Sequence, residues 1–102
     1  MIVIQGYFKL APENVAKLRE AAAPLIAGSR AEPGNIAYAF AEDFAEPGIV
    51  HIIERWESDE ALAAHNATPH FAAFMGVVPS LGITGVRVAR YDADDEKVLS
   101  GG

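Results

Sequence analysis

From Ile2 to Leu10 apolar and polar positions alternate loosely, and Ile, Val, Tyr and Phe dominate; this period of two predicts a strand beginning almost at residue 1. The period then changes. Val15, Leu18, Ala22, Leu25 and Ile26 fall on one helical stripe, opened by Pro12 and Glu13, residue types that suit a first turn. Pro24 interrupts the stripe, removes a backbone donor and predicts a kink or change of pitch near Ala23. Two copies of Glu-Pro-Gly, at 32–34 and 46–48, have the Pro-Gly order of type II turns. They bracket Asn35 to Phe44, where Ile36, Tyr38 and Phe40 alternate with alanines, and lead into Ile49 to Glu57. Those two runs predict an antiparallel hairpin. Ser58, with Asp59 and Glu60 behind it, predicts the capped start of a short helix reaching about His65. Thr68-Pro69 is a second start, and Phe71, Phe74, Met75 and Val78 give its apolar face up to Pro79. Gly82 and Gly85 predict a loop, and Val86 to Tyr91 a last strand.

The order is βαββαβ with the second helix in two pieces. That is the ferredoxin-like split βαβ arrangement of the α+β class, a four-stranded antiparallel sheet with helices on one face. On the third strand His51, Ile53 and Arg55 share one face, and Val50, Ile52, Glu54 and Trp56 the other. Neither face is purely polar, so the helix-free face also needs a cover. A homodimer through that face, with His51 buried in it, is the economical solution. Residues 1–92 are expected to form the domain. Residues 93–102, with Asp94-Asp95-Glu96 and a terminal Ser-Gly-Gly, form a tail that is either disordered or ordered against a partner.

Composition narrows the partners more than the fold. A chain of 102 residues supports one domain with a marginal core, and 51% hydrophobic residues is rich enough to suggest that a partner covers some surface. Eight Lys and Arg stand against 14 Asp and Glu, a net charge of −6 that repels phosphate backbones and anionic lipid, so neither nucleic acid nor membrane is an expected partner. Cysteine is absent, which removes disulfides, thiolate nucleophiles and Cys-ligated metal. No apolar run approaches the roughly 20 residues of a membrane span, and the first residues lack a signal-peptide pattern, so a cytoplasmic location is expected. The glycines are turn singles rather than a phosphate loop, and no serine sits in a nucleophile elbow.

Three blocks in order, Arg30-Ala-Glu-Pro-Gly-Asn-Ile-Ala-Tyr38, Ile53-Glu-Arg-Trp-Glu-Ser58 and His65-Asn-Ala-Thr-Pro-His-Phe71, together with their spacing, resemble the antibiotic biosynthesis monooxygenase domain family. The resemblance implies a dimeric α/β barrel, two ferredoxin-like protomers joined through their sheets. It also implies small-molecule chemistry: the best-known members oxidise polycyclic phenols or quinols with O₂ and use no metal or organic cofactor. Other members degrade haem or isomerise a phosphorylated dione, so the fold alone does not fix the reaction. The haem-degrading pattern, an Asn on the first strand and a ligand His after the Phe of the second helix, is not matched by Gly6-Tyr7 and Phe74-Met75.

Each candidate residue has a plain reading beside the functional one. Trp56 is a large core residue or, as the resemblance implies, a wall that stacks on a planar substrate. Glu54, on the same strand face, is a base with a raised pKa beside the indole, or the partner of Arg87 or Arg90. His65 and His70 stand at i, i+5, which does not place them on one helix face, so no metal and no cofactor are expected. His65 is the better proton relay because the resemblance places it toward the cleft; His70 is otherwise a helix N-terminal residue bonded to backbone. Asn35 completes a turn or lines the pocket with Tyr38. Phe71 and Phe74 are core at helical spacing, and Phe74 also suits a pocket cap. The expectation is a cavity between sheet and helices lined by Trp56, Glu54, His65 and Phe74.

Taken together, the expected function is cofactor-independent oxidation of a phenolic, quinol or polycyclic aromatic by O₂. The substrate supplies the electrons, His65 or Glu54 takes the proton, and Arg87 steadies the anion. The alternatives are an isomerase of a small, phosphorylated hydroxy-dione, for which only Arg87 and Arg90 offer cationic groups, and a dimer that binds a small hydrophobe without catalysis.

Overall fold

A computed structural model describes all 102 residues. The elements follow the expected order: β1 (Ile2–Leu10), a 3₁₀ turn (Pro12–Asn14), α1 (Val15–Arg30), β2 (Asn35–Glu42), β3 (Ile49–Trp56), α2 (Asp59–Asn66), α3 (Pro69–Val77), a 3₁₀ turn (Val78–Ser80) and β4 (Ile83–Asp92). The four strands form one antiparallel sheet in the order β2-β3-β1-β4. No helix is long and apolar enough to cross a membrane.

Local chemistry accounts for the boundaries. Gly34 and Gly48 take φ of 82° and 87°, the left-handed values that type II turns require at their third residue. Ser58 accepts the Ala61 N–H and Thr68 accepts the Phe71 N–H, so both helical pieces begin on side-chain caps. β2 stops at Glu42 rather than Phe44 because Asp43 Oδ1 takes the backbone N–H groups of Ala45 and Glu46, which diverts them from the ladder.

Three expectations need correction. Pro12 opens a 3₁₀ turn, and α1 itself begins only at Val15. α1 runs unbroken through Pro24, with no change of helix type there. The last strand starts at Ile83, so Gly85 lies inside it, opposite Lys9. Gly82, at φ 69°, is the turn glycine.

The core lies between the helices and one sheet face. Val15, Leu18, Ala22 and Leu25 of α1 are buried against Ile2, Phe8 and Leu10 of β1, Tyr38 of β2, and Val50, Ile52 and Trp56 of β3. Phe74 of α3 is buried with them, whereas Met75, expected in the same stripe, is half exposed. On β3 the period-two division holds: Val50, Ile52, Glu54 and Trp56 are buried, while Ile53 is exposed and His51 and Arg55 are intermediate. β4, at the sheet edge, leaves Val86, Val88 and Tyr91 about half exposed.

Candidate functional site

The turn after α1, the hairpin β2–β3 and the α2–α3 junction bring most of the sequence-predicted residues together. Trp56 is completely buried, and its indole N–H donates to Glu54 Oε1 at 3.0 Å. The His65 ring lies 4.6 Å from the indole, centroid to centroid, with Tyr38 at 5.4 Å and Phe71 at 5.2 Å from the imidazole. Burial drives the Glu54 carboxyl above the ordinary carboxylate range, opposed by the indole hydrogen bond and the His65 charge. Burial, and then the nearby Glu54 charge, drives the Tyr38 phenol well above its ordinary value, so Tyr38 is neutral.

The expected alternative partner for Glu54 is not used. Arg90 donates to Asp59 and Asp92 instead. Arg87 pairs with Tyr7 in the ladder, whereas Glu54 is in register with Ile4 and, beyond it, Arg90. Arg87 therefore stands on the opposite sheet face and does not join the cluster. Asn35 donates to the carbonyls of Ala37 and Arg55 and ties down the irregular start of β2. The space expected above Trp56 is filled by His65, itself almost fully buried.

The reason is a residue that the sequence reading passed over. Glu32, in the first Glu-Pro-Gly turn, accepts through one oxygen from His65 Nδ1 at 2.8 Å and from His70 Nε2 at 3.0 Å. This holds the His65 ring inward, on the indole. His70 thus bonds to a side chain, not to backbone. The i, i+5 spacing did not keep the two imidazoles apart, because the Ala67-Thr68 break between helices turns both toward the same carboxylate.

An open cavity of about 690 Å³ lies farther along, between α1 and the end of the hairpin. Leu18, Ile26, Phe40, Phe44 and Val50 supply its apolar lining, and Arg19, Glu42 and Asp43 its charges. That volume suits a bicyclic or tricyclic small molecule. Arg19 pairs with Glu42 at the rim. Asp43 Oδ2 meets His51 Nε2 at 2.8 Å. The His51 hydrogen bond, with those from the Ala45 and Glu46 N–H groups, holds the Asp43 carboxyl below its usual range. Neither Trp56, Glu54, His65 nor Phe74 lines this cavity. Phe40 links the two regions: its ring stacks on Tyr38 at 6.0 Å and meets Phe74 edge-on at 5.9 Å.

The sequence model of the family described as "Antibiotic biosynthesis monooxygenase" matches residues 1–77. The chain belongs to the antibiotic biosynthesis monooxygenase family. Within the family it is 37% identical over 75 residues to YcnE of Bacillus subtilis (strain 168), a protein provisionally named a monooxygenase, covering 74% of this chain and 79% of that one. A solved Deinococcus radiodurans structure, provisionally given the family's name, superposes with a TM-score of 0.89 at 26% identity over 99% of this chain and 100% of the other. Rv0793 from Mycobacterium tuberculosis gives 0.84 at 27% identity over 95% and 98%. The family match takes in the buried cluster and the cavity, and ends before β4 and Arg87.

Proposed function

We propose that the protein is a monooxygenase that oxidises a phenolic, quinol or polycyclic aromatic with O₂ and needs no metal or organic cofactor for that step. The observation that carries this reading is the apolar cavity with Phe40 and Phe44 in its walls and carboxylates at one end. A flat ring fits against the phenylalanines, and its hydroxyl reaches the polar end. Family membership supports the same class of chemistry. In the overall step the substrate loses two hydrogens and gains one oxygen as a carbonyl; the second oxygen atom and the two hydrogens leave as water. Electrons pass from substrate to O₂, so the protein's work is to take a proton, exclude bulk water and hold the anion.

Asp43 lines the cavity and Glu54 lies behind its Phe40 wall, so Glu54 takes the proton only once that wall moves aside; as a base it is the stronger of the two. Burial raises the Glu54 carboxyl above the ordinary carboxylate range, whereas Asp43 is lowered and is the weaker base. In this reading Tyr38 and Phe40 form the shared wall between substrate and base, Trp56 holds Glu54 and stacks behind the wall, and His65 is set by Glu32. Phe74 backs Phe40 edge-on, Phe71 packs on His65, and His70 and Asn35 hold the turn before β2 through Glu32 and the Ala37 and Arg55 carbonyls. An oxygen electrode with a panel of anthrones and hydroquinones tests it: saturable O₂ uptake, unchanged by chelator and reduced at least tenfold in Glu54→Gln, is expected. Tight binding of the same compounds without O₂ uptake makes the protein a binding module, and proton exchange on a hydroxy-dione without O₂ uptake makes it an isomerase.

We further propose that the working form is a homodimer joined through the helix-free sheet face. Val3, Tyr7, Ile53 and Tyr91 put apolar surface there, interspersed with His51, Arg55 and Arg87, and in a lone protomer Ile53 is 40% and Tyr91 51% exposed. Pairing two such faces removes that surface from water.

A further inference from the structure

We propose that Glu32, His65 and His70 form a binding site for one divalent first-row transition-metal ion, of the Zn²⁺ or Co²⁺ type. Three elements converge on it: the turn after α1 supplies Glu32, the last turn of α2 His65, and the first turn of α3 His70. Each offers one donor atom, Oε2, Nδ1 and Nε2 respectively, and the three lie within 4.8 Å of one another. Two imidazoles and a carboxylate are a donor set of borderline softness, matched to such ions rather than to Ca²⁺ or Mg²⁺. Ligands about 2.1 Å from a common ion sit about 3.0–3.4 Å apart in octahedral or tetrahedral geometry. The carboxylate-to-imidazole separations of 2.8 and 3.0 Å come within a few tenths of an ångström of that range.

One feature favours an ion over a simple carboxylate bridge between two histidines, and a second shows that α1 makes room for the His70 ring at this place. The second oxygen of Glu32, Oε1, is buried and has no hydrogen-bond partner. A buried, unsatisfied carboxylate oxygen is costly, and an ion between the imidazoles and both Glu32 oxygens would satisfy it. The other feature is Gly28. A glycine inside α1 weakens the helix, and here its backbone has no need of the freedom glycine gives. What it provides is room: a Cβ at Gly28 would stand 2.6 Å from His70 Nδ1 and 2.8 Å from Cγ of the same ring. The helix has given up a methyl group to seat this imidazole. The side chains grade outward from His65, 2% exposed, through Glu32 at 11% to His70 at 23%, which leaves an approach past His70.

The ion is not a reactant in the oxidation proposed above, because none of its three donors lines the cavity. Its effect is to pin the α2–α3 junction to the turn between α1 and β2. The inference is independent of the monooxygenase reading, since its readout is ion binding.

The test titrates chelator-stripped, full-length protein with ZnCl₂ by calorimetry and with CoCl₂ by visible absorption. Expected are one ion per chain, a ligand-field spectrum with nitrogen and oxygen donors, and a higher melting temperature with Zn²⁺. His70→Ala and the isosteric Glu32→Gln should each weaken binding at least tenfold. Gly28→Ala should weaken it too, by displacing the ring without deleting a donor. His51→Ala, which removes the imidazole next to Asp43, should bind as wild type does. The inference is overturned by no saturable binding to the wild type, by binding that survives both His70→Ala and Glu32→Gln, or by binding lost in His51→Ala.

Discussion

Trp56→Phe separates a merely large side chain from one that also holds a charge in place. Trp56 is fully enclosed and Glu54 nearly so, and the indole N–H donates to Glu54 Oε1 at 3.0 Å. Phenylalanine refills most of the volume, so the void alone costs about 1 kcal/mol. It cannot donate, and a hydrogen bond to a charged group is worth about 1.5–3 kcal/mol. The expected loss near pH 8 is therefore about 3 kcal/mol. The loss also depends on pH, with a definite sign. The folded-state pKa of Glu54 is raised by burial, so its stabilising contribution is complete below its unfolded value, near 4.5, and is lost as pH rises through the folded value. Removing the indole donor, which opposes that shift, raises the folded pKa further and widens the window of loss. Urea unfolding at fixed protein concentration, at about pH 5 and about pH 8, should show Trp56→Phe costing clearly more at the higher pH. In a Glu54→Gln background the pH dependence should vanish, because the amide carbonyl accepts the same bond without a charge. A loss of 1 kcal/mol or less at both pH values, or equal losses with and without Glu54, would refute the reasoning.

Tyr38, neutral and enclosed, should not ionise below about pH 11, so absorbance titrations of wild type and Tyr38→Phe should coincide up to there; a step that disappears in the variant would contradict the described burial. Gly48→Ala should cost about 2 kcal/mol or more in thermal unfolding, because φ is 87° and the new Cβ would stand 2.2 Å from the Leu10 carbonyl oxygen, whereas Gly76→Ala, in open space on α3, should gain about 0.5–1 kcal/mol. Thr68→Ala removes the acceptor for the Phe71 N–H and should cost about 1 kcal/mol in the same assay. Analytical ultracentrifugation at micromolar concentration should find a dimer, and Ile53→Lys or Tyr91→Lys should shift it to monomer; a wild-type monomer would exclude the helix-free face as an interface.

What the sequence displayed was local. Strand alternation, two Glu-Pro-Gly turns and two Ser/Thr caps each act within a few residues, so the element order and the inward face of β3 could be read directly. Arg87 shows where that reading stops. Counting by twos fixes which β4 residues share a face, but only the register with β1 fixes which face that is, and the register puts Arg90 rather than Arg87 across from Glu54. Glu32 was missed for a related reason. Its turn explains its presence, and nothing near it in the chain announces two histidines 33 and 38 residues away. The cavity is the gap left where α1 and the hairpin diverge, a property of the packing of two elements that neither sequence carries alone.

β1 precedes both of its sheet partners in the chain and is paired only once they have followed it. β1 lies inside the sheet between β3 and β4, and its ladder closes where the N-terminal ammonium donates to the Ala93 carbonyl and the Ala93 N–H donates back to Met1, 92 positions apart. On the ribosome, Ile2–Leu10 therefore emerges with both edges unpaired, and the β2–β3 hairpin is the only strand pairing that can form from neighbouring segments. Such non-local closure makes for slow folding and a long exposure of an apolar edge. The joined ends make this order exchangeable: linking residue 93 to residue 1 and reopening the chain in the Glu46-Pro47-Gly48 turn would make β4 and β1 successive and their pairing local, and would leave β2 and β3 at opposite ends of the chain as the pairing that closes last.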